Sequence, residues 1–150
     1  MAKIILLIVF LISTSFCLAQ TNSSIDSAKN AISFLKKFYT IYITDMALGQ
    51  SVHSFDSLRR KYGTSRLSKK IAEHSDPEKL NWWDWDPFTK AQDFDTATLR
   101  TLSIRRGKKG PNSYSVSYRW TDYFTKITDT FTIHLIVIRQ KERFKIDDVW

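Results

Sequence analysis

The sequence has one cysteine, Cys17, and it stands inside an apolar leader. Once that leader is removed no thiol remains, which excludes disulfide stapling, thiolate metal sites and cysteine nucleophiles from the mature chain. Histidine is nearly as scarce. His53, His74 and His134 are the whole set, and no two of them have metal-ligand spacing. No serine sits in a nucleophile-elbow context. Internal repeats and low-complexity tracts are absent, and the longest apolar run is too short for a comfortable membrane span. Such a chain must be held together by its packed core.

What is present begins with MAKIILLIVFLISTSFCLA. Lys3, the apolar run from Ile4 to Ile12 and the small and polar residues up to Ala19 form the three regions of a signal peptide. Phe16 precedes Cys17 where a lipoprotein cleavage site needs a small residue, so ordinary cleavage near Ala19 is expected. The product is an exported chain, periplasmic or secreted, of about 130 residues, enough for one domain with a real core. Losing Lys3 takes the net charge from +8 to +7. That charge suits anionic envelope polymers, lipid headgroups or an acidic partner protein, although by itself it speaks of solubility and steering.

Periodicity divides the mature chain in two. Ala28, Ile32, Leu35, Tyr39, Tyr42 and Met46 recur at helical spacing from about Ile25 to Leu48, with Ser23 and Asp26 as a capping box and Gly49 as the stop. Shorter helices are expected over Phe55 to Tyr62, ended by Gly63, and over Ser65 to His74, burying Leu67 and Ile71. Four strands follow: Arg100 to Arg106, Tyr114 to Trp120, Ile127 to about Val137, and Arg143 to Trp150. Helices followed by short-looped strands imply an α+β domain, with N-terminal helices packed on a curved four-stranded antiparallel meander. That layout is also the one of the nuclear transport factor 2-like, or cystatin-like, cone.

Between the halves lies NWWDWDPFTKAQDFD, residues 81–95. Asp86-Pro87 reads as the N-cap and first position of a short helix, PFTKAQDF, with Trp82, Trp83, Trp85, Phe88 and Phe94 wedged between helices and sheet. Two other readings stand beside it: a tryptophan platform for sugar rings, and oxygen ligands for calcium from Asp84, Asp86, Asp93 and Asp95. The aspartate spacing fits no EF-hand loop, and no metal or cofactor is expected. The segments KFYTIYI, LRRKYGTSRLSKKI, DWDPFTKAQDFD, YSVSYRW and FKIDDVW resemble an uncharacterised family of small exported bacterial domains, domain of unknown function 3828. Its most specific pieces fall on Asp86, Pro87, Phe88, Gln92 and Asp93 and on the ending with Asp147 and Asp148; Phe144 stands where tryptophan is commoner. The resemblance implies a nuclear transport factor 2-like fold and an envelope location, and it carries no activity.

Pairing the strands by their apolar faces sets Tyr118 opposite Asp129, Val116 opposite Phe131, Leu102 opposite Val116, Val137 opposite Ile146 and Leu135 opposite Asp148. A bulge near Asp147-Asp148 would instead turn Val149 inward. This register aims Arg100, Tyr118, Asp129 and Asp148 into the concavity, either as an Arg100–Asp129 ion pair or as acid–base groups, with Asp129 and Asp148 the catalytic candidates. A ligand pocket would then draw on Trp82, Trp85, Arg100, Tyr118, Trp120 and Asp129. In a meander the first and third turns share an end, which gathers Arg105, Arg106, Lys108, Lys109, Arg139, Lys141, Arg143 and Lys145 as anion-binding candidates; the acids Asp122, Asp129, Asp147 and Asp148 fall at the other end. No aromatic interleaves the basic group, so nucleic acid is not the expected partner. The outer face with Thr130, Thr132 and His134 leaves a homodimer open. The functional expectation is an exported binding or accessory domain for a small ligand or an envelope protein or polymer; the alternatives are a small acid–base enzyme or an immunity-type, toxin-neutralising protein.

Overall fold

Helix α1 runs over residues 26–48 of a computed structural model that describes residues 26–49, 54–76, 78–79, 83–91, 95–122 and 124–150. The leader with Cys17, the capping residue Ser23, and His53, Trp82, Gln92, Asp93 and Phe94 lie outside the described residues. Ala28, Ala31, Leu35, Phe38, Tyr39, Tyr42 and Ile43 form the buried stripe of α1, and Ile32 and Met46 are only partly covered. Gly49 ends the helix at φ +60, the left-handed conformation that favours glycine, and its N–H bonds the Met46 carbonyl at 3.2 Å;.

Two short helices follow, α2 (Phe55–Tyr62) and α3 (Ser65–His74). Ser54 and Thr64 cap them by accepting the N–H of Ser57 and Leu67;. A six-residue 3-10 helix, Thr96–Thr101, precedes the sheet, capped by Asp95. It replaces the first part of the strand expected from Arg100, for a local reason. The Thr101 hydroxyl accepts the Arg119 N–H at 2.9 Å and donates to the Arg119 carbonyl at 3.3 Å. One side chain thereby does the job of a ladder pair.

The sheet is a meander in the order β1 (Ser103–Arg106), β2 (Ser113–Thr121), β3 (Thr128–Gln140), β4 (Arg143–Val149), all antiparallel. Its inward face buries Tyr114, Val116, Tyr118, Ile133, Leu135, Val137, Ile146 and Val149 against the α1 stripe. Val137 pairs with Ile146 as expected, but the registers of two strand pairs, β1–β2 and β2–β3, correct the sequence reading. Tyr118 lies opposite Phe131 and Val116 opposite Ile133, while Ile104, not Leu102, faces Val116. Both errors are slips of two residues, which leave every side chain on its own face, so alternation could not detect them. A bulge between Ile136 and Val137 leaves Asp147 without a cross-strand partner, sets Val149 opposite Leu135 and turns it inward;.

The free edge of β4 is closed by the α2–α3 junction. Gly63 bridges Ile146 in parallel, and the Thr64 N–H bonds the Ile146 carbonyl at 2.9 Å. The bulge aims Asp147 at α3, where Thr64 Oγ1 donates to it at 2.8 Å and Arg66 at 2.7 Å. Asp148 takes the Lys70 ammonium at 2.7 Å. An edge that could template pairing with another chain is thus covered and tied.

Candidate functional site

Asp86 is the joint from which the site is built. One carboxylate oxygen accepts the Tyr42 hydroxyl at 2.6 Å and Arg59 at 2.7 Å, and the other accepts the Phe88 N–H at 2.9 Å and the Thr89 hydroxyl at 3.0 Å. Arg59 also donates to the Tyr42 oxygen at 3.1 Å, closing a triangle between α1, α2 and the following loop. Burial, then the negative charge of Asp86, pushes the Tyr42 phenol well above its ordinary value, so it stays a donor;. Burial pulls the Arg59 guanidinium down, but the Tyr42 and Asp86 oxygens outweigh that and its pKa ends raised. The four donors leave Asp86 little capacity for a cation, and among the described residues no three His, Cys, Asp or Glu side chains group as metal ligands.

This network also explains a corrected expectation. Over its described part, residues 87–91, the stretch after Asp86 is a single tight turn and not a helix. The Asp86 carbonyl takes the N–H of both Thr89 and Lys90, and Lys90 then adopts φ +55. The Tyr118 hydroxyl donates to the Thr89 carbonyl, removing an acceptor that a continuing helix would need;. Phe88 is buried against Phe38 and Tyr42 in edge contacts.

The turn forms one wall of a cleft of about 370 Å³. Its aromatic walls are Trp83, Trp85 and Trp150, with Pro87 and Val149 between them and Lys70, His74 and Lys90 as its ionisable lining. Trp83 rests on the His74 ring at 4.4 Å, and its backbone N–H donates to the His74 carbonyl at 2.9 Å. Trp150 exchanges backbone hydrogen bonds with His134, stacks on its ring and carries the Lys109 ammonium 4.7 Å above its own;. Trp85 stands 47% exposed at the rim. The sequence hinted at this cleft through its tryptophans alone. Lys70, His74, Lys90 and Trp150 come together only through the tertiary fold.

A second cleft, of about 360 Å³, opens at the other end of the sheet and is lined by Asp95, Arg100, Arg119 and Trp120, with small residues between them. Beside it projects the β2–β3 turn. Asp122 Oδ1 accepts the N–H groups of Phe124 at 2.9 Å and Thr125 at 2.5 Å, and the Thr125 hydroxyl at 2.8 Å. These bonds, led by the one from the Thr125 N–H, hold the Asp122 carboxyl below the usual carboxylate range. The turn presents Phe124 at 88% and Ile127 at 60% exposure.

The pocket candidates read from sequence therefore separate. Trp85 belongs to the first cleft and Arg100 and Trp120 to the second, while Trp82 lies outside the described residues. Tyr118 is packed in the core, where burial, then Asp86, raises its phenol above the ordinary range. Asp129, opposite Trp120, lies on the inward face of β3 but beyond its covered part, and is exposed. It makes no ion pair with Arg100, which points its own exposed side chain from the 3-10 helix. Asp148 is bound to Lys70, and Asp147 and Asp148 sit along β4 rather than at the acidic end. Arg105, Arg106, Lys108, Lys109, Arg139, Lys141 and Arg143 are all exposed around the first and third turns, and Lys145 caps α2 by donating to the Lys61 carbonyl at 2.6 Å.

No family model matches the chain, and no curated protein does. Two of the solved structures that share its fold are informative. A protein of unknown function from Bacteroides thetaiotaomicron VPI-5482 is 24% identical with a TM-score of 0.71, covering 89% of this chain and 98% of that one. A chain of the type VI native effector-immunity complex Tae3-Tai3 from Ralstonia pickettii is 15% identical with a TM-score of 0.52, covering 78% and 90%. At these identities the likeness is one of fold.

Proposed function

We propose that the chain is an exported, non-catalytic binding module of immunity type, which docks on an effector protein and blocks it. The observation that carries this reading is the Phe124–Ile127 tip. Large apolar side chains are held out in water by a hydrogen-bonded turn, next to a cleft lined by Arg100, Arg119 and Trp120. Aromatic and arginine side chains on a rigid frame supply most of the energy in protein interfaces, because little entropy is lost when they dock. The likeness to a chain of an effector-immunity complex makes an effector a concrete class of partner;. The exposed cations at the opposite end add a steering field for an acidic partner. An acid–base mechanism finds less support, since Asp129 is exposed beyond the core and Asp148 is held by Lys70.

The cone-like curvature, the kinship with the uncharacterised exported family and the cleaved leader belong to the same proposal. Asp86, Pro87, Phe88, Asp147 and Asp148, which carry the resemblance, build the two joints that fix the helices to the loop and to β4. A family of the same fold would keep such joints.

The test is protection. Effector proteins are directed to the periplasm of a sensitive host with and without this chain, and protected pairs are purified and titrated. One effector should be neutralised in a one-to-one complex, and Phe124→Asp should weaken binding at least a hundredfold, about 2.8 kcal/mol. Absence of protection across the set, or a partner bound equally by Phe124→Asp, refutes the reading.

A further inference from the structure

The tryptophan cleft plays no part in the docking surface proposed above, and it lies at a different place in the fold. Three features make it a site rather than a surface irregularity. Its walls are fixed: Trp83 is tied to α3, Trp150 to β3, and the Pro87–Lys90 turn to the Asp86 joint. Its volume of about 370 Å³ falls at the small end of the range in which ligand pockets occur. Its ionisable side chains are Lys70, Lys90 and His74, with no aspartate or glutamate among them.

The two lysines differ in a way that matters for ligand charge. Lys70 donates to Asp148 at 2.7 Å and to the Val149 carbonyl at 2.9 Å. An ammonium has three donors, so one N–H is left over on a group fixed by these two bonds and lying 5.8 Å from the Trp83 ring centroid. Its charge is largely offset by Asp148. Lys90 makes no ion pair with an acid among the described residues and brings the second ammonium to the lining. Indole faces on rigid supports accept the flat face of an aromatic ring or the C–H face of a sugar ring, and ammonium groups beside them accept an anion.

We infer that this cleft binds a small ring-shaped ligand bearing a carboxylate, with the ring stacked on Trp85 and the carboxylate between Lys90 and the free N–H of Lys70. Two sources share that chemistry, a sugar acid and an aromatic acid. A neutral ring of the same size would gain nothing from the two ammonium groups, and an apolar chain would waste both donors.

The test uses ligand-observed NMR on the whole chain with four probes: glucuronate and its neutral counterpart glucose, benzoate and its neutral counterpart benzyl alcohol. At least one acid should bind saturably, at least tenfold more tightly than its neutral counterpart, and lose affinity as salt is raised. Trp85→Ala and Lys90→Gln should each weaken binding tenfold or more. Both residues sit at the rim, so their thermal midpoints should stay within a few degrees of the parent's, and a lost ligand signal then reports on the site. Binding of glucuronate alone assigns a sugar acid, and binding of benzoate alone an aromatic acid. The inference is overturned if neither acid binds, if the neutral rings bind equally well, or if both variants keep the parent affinity.

Discussion

Replacing Asp86 by alanine tests whether one carboxylate holds α1, α2 and the aromatic loop together. The change removes four acceptor contacts at 2.6, 2.7, 2.9 and 3.0 Å. Two of them, from Tyr42 and Arg59, are made in largely covered surroundings; the side chains of Arg59 and Asp86 are 23% and 11% exposed. Orphaning one member of a buried ion pair costs about 3–5 kcal/mol; Arg59 is partly exposed and keeps Asp56 at 3.6 Å, which argues for the low end, ~3 kcal/mol. Losing the bonds that close the turn adds ~1 kcal/mol. A total of ~4 kcal/mol should lower the thermal midpoint by roughly 15 °C in a domain of this size. The assay is urea and thermal unfolding followed by circular dichroism, on Asp86→Ala, Arg59→Met and the double variant. Because most of the penalty is a stranded guanidinium, Arg59→Met placed on Asp86→Ala should recover part of the loss, a coupling of at least ~1.5 kcal/mol. A loss under 1 kcal/mol for Asp86→Ala, or strictly additive single losses, refutes the joint as described.

Three further outcomes follow from the same reasoning. Burial works to raise the Asp147 carboxyl, but the hydrogen bonds from Arg66 and Thr64 outweigh it and the folded-state value lies below the ordinary one. The stability it contributes is therefore full at neutral pH and is lost as pH falls through that depressed value. Asp147→Asn should cost ~1 kcal/mol at pH 7 in urea unfolding, with the gap to the parent closing below about pH 4; a gap that does not change with pH contradicts the assignment. Gly63→Ala should cost about 1–3 kcal/mol, because its Cβ would lie 2.6 Å from the backbone carbonyl of Arg59 at the end of α2. That carbonyl already accepts the Gly63 N–H and cannot move without breaking the helix end. Glu142→Gly should raise stability by up to ~1 kcal/mol, because Lys141 and Glu142 form the β3–β4 turn at φ +46 and +60, where side chains are strained; an unchanged unfolding midpoint would show that the turn relaxes without penalty.

The parts of this fold legible in the sequence are those written in local chemistry. Helices α2 and α3 start and stop where expected, because Ser54, Thr64 and Gly63 are caps and stops whose action needs no tertiary partner. The four-strand order and the facing of Val116, Tyr118, Ile133 and Leu135 were legible because alternation records which side is buried. Register along the strands was not, since a shift of two keeps the pattern, and with it went the placement of Asp129 and Arg100. The turn after Asp86 was misread because local propensity favoured a helix, while the Tyr118 hydroxyl, 29 residues away in sequence, claimed the Thr89 carbonyl. The tryptophan cleft was half visible. Trp83 and Trp85 are neighbours in sequence, but Lys70 and Trp150 arrive from α3 and from the residue after β4.

The way the cleft is built decides how its role can be measured. Trp83 and Trp150 take part in backbone pairing with His74 and His134, and Pro87 belongs to the turn that Asp86 organises. Changing any of these alters the fold and the cleft together, so a lost signal would not distinguish binding from unfolding. The same holds for Asp147 and Asp148, whose variants would loosen α3 and with it Lys70. Trp85, Lys90 and Phe124 differ in kind. Trp85 and Phe124 are exposed and the Lys90 side chain reaches the cleft from a turn fixed through its backbone, so each presents its group from a frame held by other residues. Rigid joints and exposed tips are thus different residues: Asp86, Asp147 and Asp148 make the joints, and Trp85, Lys90 and Phe124 present their groups outside them. Phe124→Asp should therefore weaken partner binding at least a hundredfold while leaving carboxylate binding in the cleft intact, and Trp85→Ala should weaken carboxylate binding tenfold or more while leaving partner binding intact. Loss of both functions in either variant would mean that the two surfaces are one site.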